Sequence, residues 1–189
     1  VFLAGNCLPQ RSCSGFQIAE LGFGTGLNLL LVLDMWRQSD QPEMLKYTTF
    51  EAFPMSSQAM IRVQARFVEL EEVASELVDY WQCSAAEIEL SDLCLLLIKA
   101  DLRLSAPAWN GCADAYFLDG FSPVKNPEMW QNDLLPAVGT HSAENATLVT
   151  YITAGVVRRR LTYAGLSVPR SSSFGRKRHM TTARIEVSL

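Results

Sequence analysis

The sequence of 189 residues contains only two histidines, and none of its five cysteines stands in a C-x-x-C pair. An odd number of cysteines without such a pair argues against a disulfide framework and against a structural zinc site. Cys94 and Cys112 lie in or beside apolar segments, where we expect buried free thiols. His141 and His179 have no Cys, Asp or Glu partner at a convincing spacing, so we predict no metal and no catalytic triad, and we expect His141 in a surface loop. Free cysteines indicate a reducing compartment, and we expect a cytoplasmic protein.

Long apolar segments are also missing. The longest apolar runs, residues 29–33 and 93–98, are far shorter than the roughly 20 residues of a membrane-spanning helix, so we expect no membrane partner. No basic segment followed by an apolar one stands at the start, which argues against secretion. The length fits one domain over residues 1–189. Because the chain begins with Val1 and enters structure almost at once, we expect a short N-terminal segment to be missing.

Charge is distributed unevenly along the chain, although the net charge is only −4. Residues 1–149 carry 8 Lys and Arg against 19 Asp and Glu, whereas residues 150–189 carry 8 against one. An acidic body with a basic C-terminal quarter suggests a polyanionic partner at one face. Solvated charges on helices and loops explain the same pattern equally well.

Short apolar runs alternate with amphipathic segments, the pattern of βαβ units around a parallel sheet. We predict strands over residues 16–21, 46–50, 94–100, 113–118 and 147–152, with helices over 27–37, 67–82 and 153–164, and a further helix capped by Ser56 or Ser57. Residues 166–170 and 182–187 predict a closing antiparallel pair. The prediction is therefore a single α/β domain with a mostly parallel, seven-stranded sheet and an antiparallel C-terminal pair of strands.

A glycine-rich turn follows the first predicted strand and carries Gly22, Gly24 and Gly26. Glycine allows positive φ angles and a close approach of the backbone to a ligand. The turn lacks the G-x-G-x-x-G spacing of dinucleotide-binding folds, because Leu27 and Asn28 follow Gly26. A tight turn without a ligand explains the three glycines alone about as well as a binding site does.

Acidic residues stand where four predicted strands end: Glu20, Glu51, Asp101 and Asp119. Ligands of open α/β sheets bind outside the carboxyl ends of the strands. Carboxylates complement S-adenosylmethionine, which carries an ammonium and a sulfonium group, better than they complement a diphosphate. We predict that Glu51 accepts hydrogen bonds from the ribose and that Asp101 reaches the adenine amino group. An NAD(P)-dependent oxidoreductase with a variant turn is the alternative.

Residues 116–130 form the most distinctive stretch, in which a strand delivers Asp119 and a loop with two prolines, aromatics and Lys125 follows. Asp119 is expected to position an amine, because a carboxylate is too weak a base to deprotonate an alkylammonium alone. We predict Asp119 and Lys125 as catalytic. Phe121 and Trp130 can stack a nucleobase, although for Trp130 we favour a place in the core.

The C-terminal quarter holds two basic clusters, Arg158 to Arg160 on a predicted helix and Arg176, Lys177 and Arg178 in a loop. Three adjacent helical arginines cannot all face the same way. We therefore predict RNA contacts for Arg158 and Arg159, together with the three basic residues of the loop.

With these motifs considered together, the sequence resembles the methyltransferase half of the bifunctional MnmC family of tRNA-modification enzymes and its stand-alone relatives. The resemblance covers nearly the whole chain, and residues 119–130 are its most specific part. The matching segments are residues 5–6, 8–9, 11, 19–28, 119–130, 150–151, 154–155, 157–159, 164–165, 174–178 and 180. Asn6, Phe23, Asn28 and Phe121 lie in these segments, and we add them to the predicted cofactor contacts, which also comprise Glu20, Gly22, Gly24, Gly26, Glu51, Asp101 and Asp119.

The resemblance implies a class I, Rossmann-like methyltransferase fold that uses S-adenosylmethionine and no metal. It implies methylation of the aminomethyl nitrogen on C5 of the wobble (thio)uridine in the anticodon of tRNA. In the bifunctional enzymes a flavin (FAD)-dependent oxidoreductase half generates this amine, so such a partner, fused or separate, is expected. The chain departs from the family pattern at Ser173 and His179. These departures leave a small-amine methyltransferase, or a binding module without activity on tRNA, as alternatives.

Overall fold

The computed structural model of the chain describes residues 1–39, 44–119, 130, 134–153, 155–169 and 180–185. Phe121, Lys125, Arg176, Lys177 and Arg178, for which the sequence predicts roles in the site, lie outside these residues, as do Ser173 and His179. In the ranges given, the helices are all too short or too polar to cross a membrane.

A single eight-stranded sheet forms the centre of the described structure, in the order β3-β4-β2-β1-β5-β6-β8-β7. Strands β4, β2, β1, β5 and β6 run parallel, whereas β3 pairs antiparallel with β4, and β8 pairs antiparallel with both β6 and β7. The strands are β1 (Gln17–Leu21), β2 (Leu45–Phe50), β3 (Glu87–Glu89), β4 (Leu93–Ile98), β5 (Ala113–Leu118), β6 (Ser142–Thr150), β7 (Leu166–Ser167) and β8 (Thr181–Ile185).

The predicted α/β fold and the closing antiparallel pair are confirmed, but the predicted number of seven strands is wrong. The additional strand is β3, in which exposed Glu87 and Glu89 flank the buried Ile88. A three-residue strand with one apolar residue has too little alternation to be distinguished from a loop. It forms because β4 offers an edge whose backbone groups need partners.

Seven α-helices connect or flank the strands in the described ranges. They are α1 (Phe2–Gly5), α2 (Leu27–Gln38), α3 (Ser57–Gln64), α4 (Glu71–Gln82), α5 (Leu102–Ala108), α6 (Leu134–Thr140) and α7 (Gly155–Tyr163). Ser56 is the N-cap of α3, since its hydroxyl accepts a hydrogen bond from the backbone N–H of Ala59. The helix predicted over residues 67–82 is α4 preceded by a 3₁₀ turn at Val68–Leu70.

Alternation along the strands divides the core into two layers. Ile18 of β1 packs beneath α2 and α4, whereas Ala19 and Leu21 pack against α5, α6 and α7 on the opposite face. The α2 layer also holds Tyr47, Phe117 and Val149. Side chains at every second position of β1, β2 and β5 therefore face α2, and in β1 this includes Glu20, the residue before the last of the strand.

His141 lies in the turn between α6 and β6, in agreement with the predicted loop, and the two cysteines differ from the prediction. The His141 side chain is half-buried, with its Nε2 3.3 Å from the carbonyl of Pro107 and its ring 6.0 Å from that of Trp109. Cys112 is exposed because it precedes β5 instead of lying in it, and Cys94 is half-buried.

The turn between β1 and α2 requires glycine at Gly26 for two reasons, and Gly26→Ala is expected to destabilise the protein. Gly26 has φ of +70°, and an added Cβ would lie 2.9 Å from the Phe23 ring and 3.1 Å from the Gln64 amide. Gly15→Ala is the matched control, because Gly15 also has φ of +70° but an added Cβ meets nothing within 4 Å.

We expect Gly15→Ala to cost about 1 kcal/mol of unfolding free energy, from the left-handed backbone alone. Gly26→Ala should cost roughly 1–3 kcal/mol more, because the Phe23 ring must move. Urea denaturation followed by circular dichroism measures both values. Equal losses for the two variants would contradict the tight contact at Gly26.

Candidate functional site

The glycine turn has a left-handed backbone at each of its three glycines, with φ of +97° at Gly22, +53° at Gly24 and +70° at Gly26. Side chains from elsewhere hold this conformation. The Gln64 amide donates a hydrogen bond of 2.8 Å to the carbonyl of Thr25. The turn is therefore built from positions that need glycine and is fastened to α3.

Glu51, the first residue after β2, binds the same turn. Its Oε2 accepts hydrogen bonds of 3.1 Å from the backbone N–H groups of Phe23 and Gly24, and its Oε1 accepts one of 3.0 Å from Phe53. A carboxylate offers about four acceptor positions. Glu51 is thus bound to the glycine turn, and its contact with a ribose stays a prediction.

Glu20 and Asp119 share the side chain of Asn28 at the start of α2. The Asn28 Nδ2 donates hydrogen bonds of 2.7 Å to Glu20 Oε1 and of 2.8 Å to Asp119 Oδ2. Glu20 is fully buried, and its Oε2 lies 2.9 Å from the Tyr47 hydroxyl. The sequence suggests a carboxylate on the rim, but Glu20 lies beneath the turn, because its position in β1 directs the side chain under α2.

Burial is the largest influence on the Glu20 carboxyl and raises its pKa from 4.5 to about 8. Hydrogen bonds from Asn28 and Tyr47 act in the opposite direction, while the negative charge of Asp119 adds to the increase. The pKa of Tyr47 is also raised, chiefly by burial and then by the charge of Glu20, so its phenol stays protonated.

A cleft of about 330 Å³ opens over the carboxyl ends of β1, β2 and β5. A second cleft of about 330 Å³, which contains Lys99 and Trp81, shares Phe23 and Gly24 with it. The turn therefore separates two hollows. The first cleft is lined by Gly22, Phe23, Gly24, Thr25, Leu27, Asn28, Glu51 and Asp119.

Two predicted cofactor contacts lie away from this cleft. Asn6 is fully buried, and its side chain donates to the carbonyl of Phe2 at 3.0 Å and accepts from the Thr147 hydroxyl at 2.6 Å. Asn6 thus joins α1 to β6, and its contact with the cofactor stays a prediction. Its place in a matching segment reveals neither its burial nor its partners.

Asp101 is the N-cap of α5 and binds Arg103, whose backbone N–H and Nε lie 2.9 and 3.0 Å from Asp101 Oδ1. These bonds lower the pKa of Asp101 to about 2. Asp101 does not line the cleft that contains Glu51 and Asp119, and its contact with adenine stays a prediction. Of the four acidic residues at the predicted strand ends, the fold therefore brings three together, namely Glu20, Glu51 and Asp119.

The aromatic and basic residues are placed as follows. Phe23 is 5% exposed, with its ring 5.8 Å from that of Trp81 and its backbone N–H bound to Glu51. Trp130 is 2% exposed, as expected for a core residue. Arg158 is half-buried and donates to the carbonyl of Pro169 at 3.0 Å, whereas Arg159 is exposed on α7.

Tyr47 and Gln64 are site residues that the sequence analysis missed. A tyrosine within a strand normally indicates core packing, and only the register of β1 with β2 shows that Tyr47 shares a face with Glu20. Gln64 could have been recognised from the sequence, since it is a polar residue on the buried side of an amphipathic helix. Within the described ranges, no three His, Cys, Asp or Glu side chains are grouped so that they could bind a metal ion.

Comparisons with known proteins agree with this architecture. A family model described as S-adenosyl-L-methionine-dependent methyltransferase matches residues 68–186. The chain is 42% identical over 191 residues to the tRNA 5-methylaminomethyl-2-thiouridine biosynthesis bifunctional protein MnmC of Caulobacter vibrioides, covering 97% of this chain and 32% of the relative. It is 38% identical to the protein of the same name from Aromatoleum aromaticum, covering 97% and 30%. The chain thus spans about a third of the length of these curated relatives.

Solved structures show the same fold. The crystal structure of MNMC2 from Aquifex aeolicus superposes with a TM-score of 0.72 at 29% identity, covering 92% of this chain and 54% of that one. The N-methyltransferase NodS from Bradyrhizobium japonicum superposes with a TM-score of 0.58 at 10% identity, covering 98% and 94%. At 10% identity the second likeness concerns the fold alone.

The raised pKa of Glu20 predicts that the protein loses stability as the pH rises. The folded state holds the proton up to about pH 8, whereas the unfolded chain releases it near 4.5. Between these values the folded state binds more protons, so unfolding becomes easier with increasing pH. Glu20→Gln is uncharged at every pH and should flatten this part of the stability profile.

Thermal unfolding of both proteins from pH 5 to pH 8.5 measures the difference in slope. Glu89→Gln removes an exposed glutamate of β3 and is the matched control, for which we expect the slope of the unsubstituted protein. A Glu20→Gln variant whose melting temperature falls as steeply as that of the unsubstituted protein would show that Glu20 is ionised throughout.

Proposed function

The chain belongs to the family of S-adenosyl-L-methionine-dependent methyltransferases, and on this premise we propose that it methylates an amine of tRNA. The acceptor we propose is the aminomethyl nitrogen on C5 of the wobble uridine, with or without 2-thiolation, and the product is 5-methylaminomethyl-uridine. The observation that supports this most directly is the position of Asp119, which lines the cleft at the glycine turn and follows the strand next to β1.

The residues of the cleft fit S-adenosylmethionine. Gly24 has φ of +53°, and an added Cβ there meets nothing within 4 Å, so the backbone is open to close approach. Glu51 and Asp119 place two carboxylates beside this backbone, as a cationic ligand with a ribose requires. We propose that the glycine turn, Asn28 and Glu51 hold the cofactor, with Asp101 toward the adenine.

When bound, S-adenosylmethionine supplies a methyl group that is electrophilic because it is attached to a sulfonium. A primary alkylammonium, with a pKa near 10 in water, has no lone pair and must first release a proton to the solvent. Asp119 accepts a hydrogen bond from the N–H of the acceptor amine. This bond orients the lone pair of the amine nitrogen toward the cleft. Lys125 and Phe121 follow Asp119 in the chain, and we propose Lys125 as a second catalytic residue and Phe121 as a contact of the cofactor.

RNA binding and the supply of the amine complete the proposal. Arg158 and Arg159 on α7, together with Arg176, Lys177 and Arg178, are proposed to contact the anticodon region through its phosphates. The relatives are bifunctional proteins about three times as long as this chain. We propose that an FAD-dependent oxidoreductase, fused or separate, generates the aminomethyl group on which this domain acts.

Methyl transfer is expected when the protein is incubated with S-adenosylmethionine and tRNA that carries 5-aminomethyl-uridine. Mass spectrometry of the digested tRNA should show a gain of one methyl group, and the same tRNA without the aminomethyl group should show none. Calorimetric titration with S-adenosylmethionine and with NADH accompanies the assay. Cofactor binding without turnover would contradict the proposed reaction and favour a binding module, whereas binding of NADH alone would favour an oxidoreductase.

Arg159→Gln is expected to weaken tRNA binding and to reduce its dependence on salt. Each phosphate contact that is lost lowers the slope of log affinity against log salt by about 1. Arg62→Gln is the matched control, because Arg62 is also exposed but lies on α3, which packs on the opposite face of the sheet. Fluorescence anisotropy at salt concentrations from about 50 to about 200 mM gives both slopes. Equal slopes for the two variants would place the RNA elsewhere.

A further inference from the structure

The side chain of Asn28 is placed between two carboxylates that come from different strands. Its Nδ2 lies 2.7 Å from Glu20 Oε1 and 2.8 Å from Asp119 Oδ2. A primary amide carries two N–H groups, and here each is directed at one carboxylate. Asn28 is half-buried and Glu20 is fully buried, so water competes little for these bonds.

The fold itself brings the three residues together. Glu20 pairs with Phe117 in the register of β1 with β5, so Asp119, two residues further along the chain and directly after β5, continues on the same face. That face carries α2, whose second residue is Asn28. Gly26, with its left-handed backbone, is the N-cap that turns the chain so that α2 begins directly over the two strand ends.

The orientation of the Asn28 amide is determined by its neighbours. A flipped amide would direct Oδ1 at Asp119, which accepts hydrogen bonds and donates none when ionised. Glu20 supports the same orientation in either protonation state, because the proton of a neutral carboxyl can lie on Oε2, the oxygen that faces Tyr47. Tyr47 is fully buried on β2, so the far end of the chain of hydrogen bonds is fixed in the core.

We propose that Asn28 is a positioning residue that holds the Asp119 carboxylate toward the methyl acceptor, and that Glu20 and Tyr47 hold the Asn28 amide from behind. This inference rests on the proposed function, in which Asp119 orients the acceptor amine. The backbone of Asp119 is still bound to β1, since its N–H donates to the carbonyl of Leu21 at 3.2 Å. Its side chain lies beyond the last paired residue of β5, where Oδ2 accepts the hydrogen bond from Asn28.

A double-mutant cycle distinguishes positioning from a separate structural or cofactor-binding role. Asn28→Ala should lower kcat by about 10- to 100-fold, because a carboxylate displaced by about 1 Å misorients the acceptor. If Asn28 acts through Asp119, the double variant Asn28→Ala, Asp119→Ala should be no slower than Asp119→Ala alone. Multiplied losses in the double variant would overturn the proposal, as would an unchanged kcat of Asn28→Ala at saturating S-adenosylmethionine.

Tyr47→Phe tests the same hydrogen bonds, from Tyr47 through Glu20 and Asn28 to Asp119, with a smaller perturbation. Tyr116→Phe is its matched control. Both substitutions remove a buried phenol hydroxyl from a sheet residue, but Tyr116 donates to the carbonyl of His141 on the opposite face. We expect the two variants to lose similar amounts of thermal stability. Only Tyr47→Phe should also lower kcat, by several-fold. Equal kcat values for the two variants would show that Tyr47 does not help to hold Asn28 and Asp119 in place.

A readout without activity separates this inference from the proposed function. Crystal structures of the unsubstituted protein and of Asn28→Ala show directly whether the Asp119 carboxylate moves, whatever reaction the protein catalyses. Displacement of Oδ2 supports positioning, and an unmoved carboxylate overturns it. Absence of methyl transfer by the unsubstituted protein would contradict the proposed function while leaving this structural comparison to decide the role of Asn28.

Discussion

Three carboxylates meet at one edge of the sheet, and the site is organised around the cost of holding them there. Glu20 lies near the end of β1, while Glu51 and Asp119 directly follow β2 and β5, and these three strands are adjacent and parallel. Like charges at short distance repel, and removing a carboxylate from water costs several kcal/mol unless hydrogen bonds replace the solvent. The protein meets this cost differently for each residue.

Glu51 is satisfied by backbone N–H groups of the glycine turn, and Asp119 remains partly in water. Glu20 has no solvent, so it depends on Asn28 and Tyr47, and its pKa is raised to about 8. Because α2 supplies Asn28 and the turn supplies the N–H groups, one connection between β1 and α2 serves all three carboxylates. This explains why the conformation of the turn matters beyond the approach of a ligand.

The same connection links the cleft to the rest of the domain. Gln64 fastens the turn to α3, and the other end of α2 is tied by Arg37, which forms ion pairs with Glu76 of α4 and with Asp92. Surface ion pairs contribute little stability by themselves. Here they fix the direction of a helix whose first turn holds Asn28 over the strand ends.

Much of the fold could be predicted from the sequence, because hydrophobic periodicity is a local property. The parallel strands at residues 17–21, 45–50, 93–98 and 113–118 were predicted to within two residues at each end. The strand β3 was missed because three residues carry too little pattern, and its pairing depends on the exposed edge of β4. The turn at Gly22, Gly24 and Gly26 was predicted since only glycine adopts three positive φ angles so readily.

The candidate site was predictable where it depends on position along a strand and unpredictable where it depends on partners. Acids at strand ends indicated the right edge of the sheet, but sequence position could not show that Asp101 binds Arg103 as a helix cap. Nor could it show that Asn6 is buried between α1 and β6. Hydrogen bonds between residues distant in the chain follow from register and helix placement, which no local pattern contains.

The sequence by itself determined the α/β class, the glycine turn and the edge of the sheet at which the cleft lies, because these follow from local periodicity and from residue types with restricted backbones. Tertiary structure alone decided that Asn28 lies between Glu20 and Asp119, with Tyr47 behind them. That arrangement needs β5 to insert beside β1 rather than beside β4, and α2 to begin over both strands. Such long-range packing sets the distances on which the chemistry of the carboxylates depends.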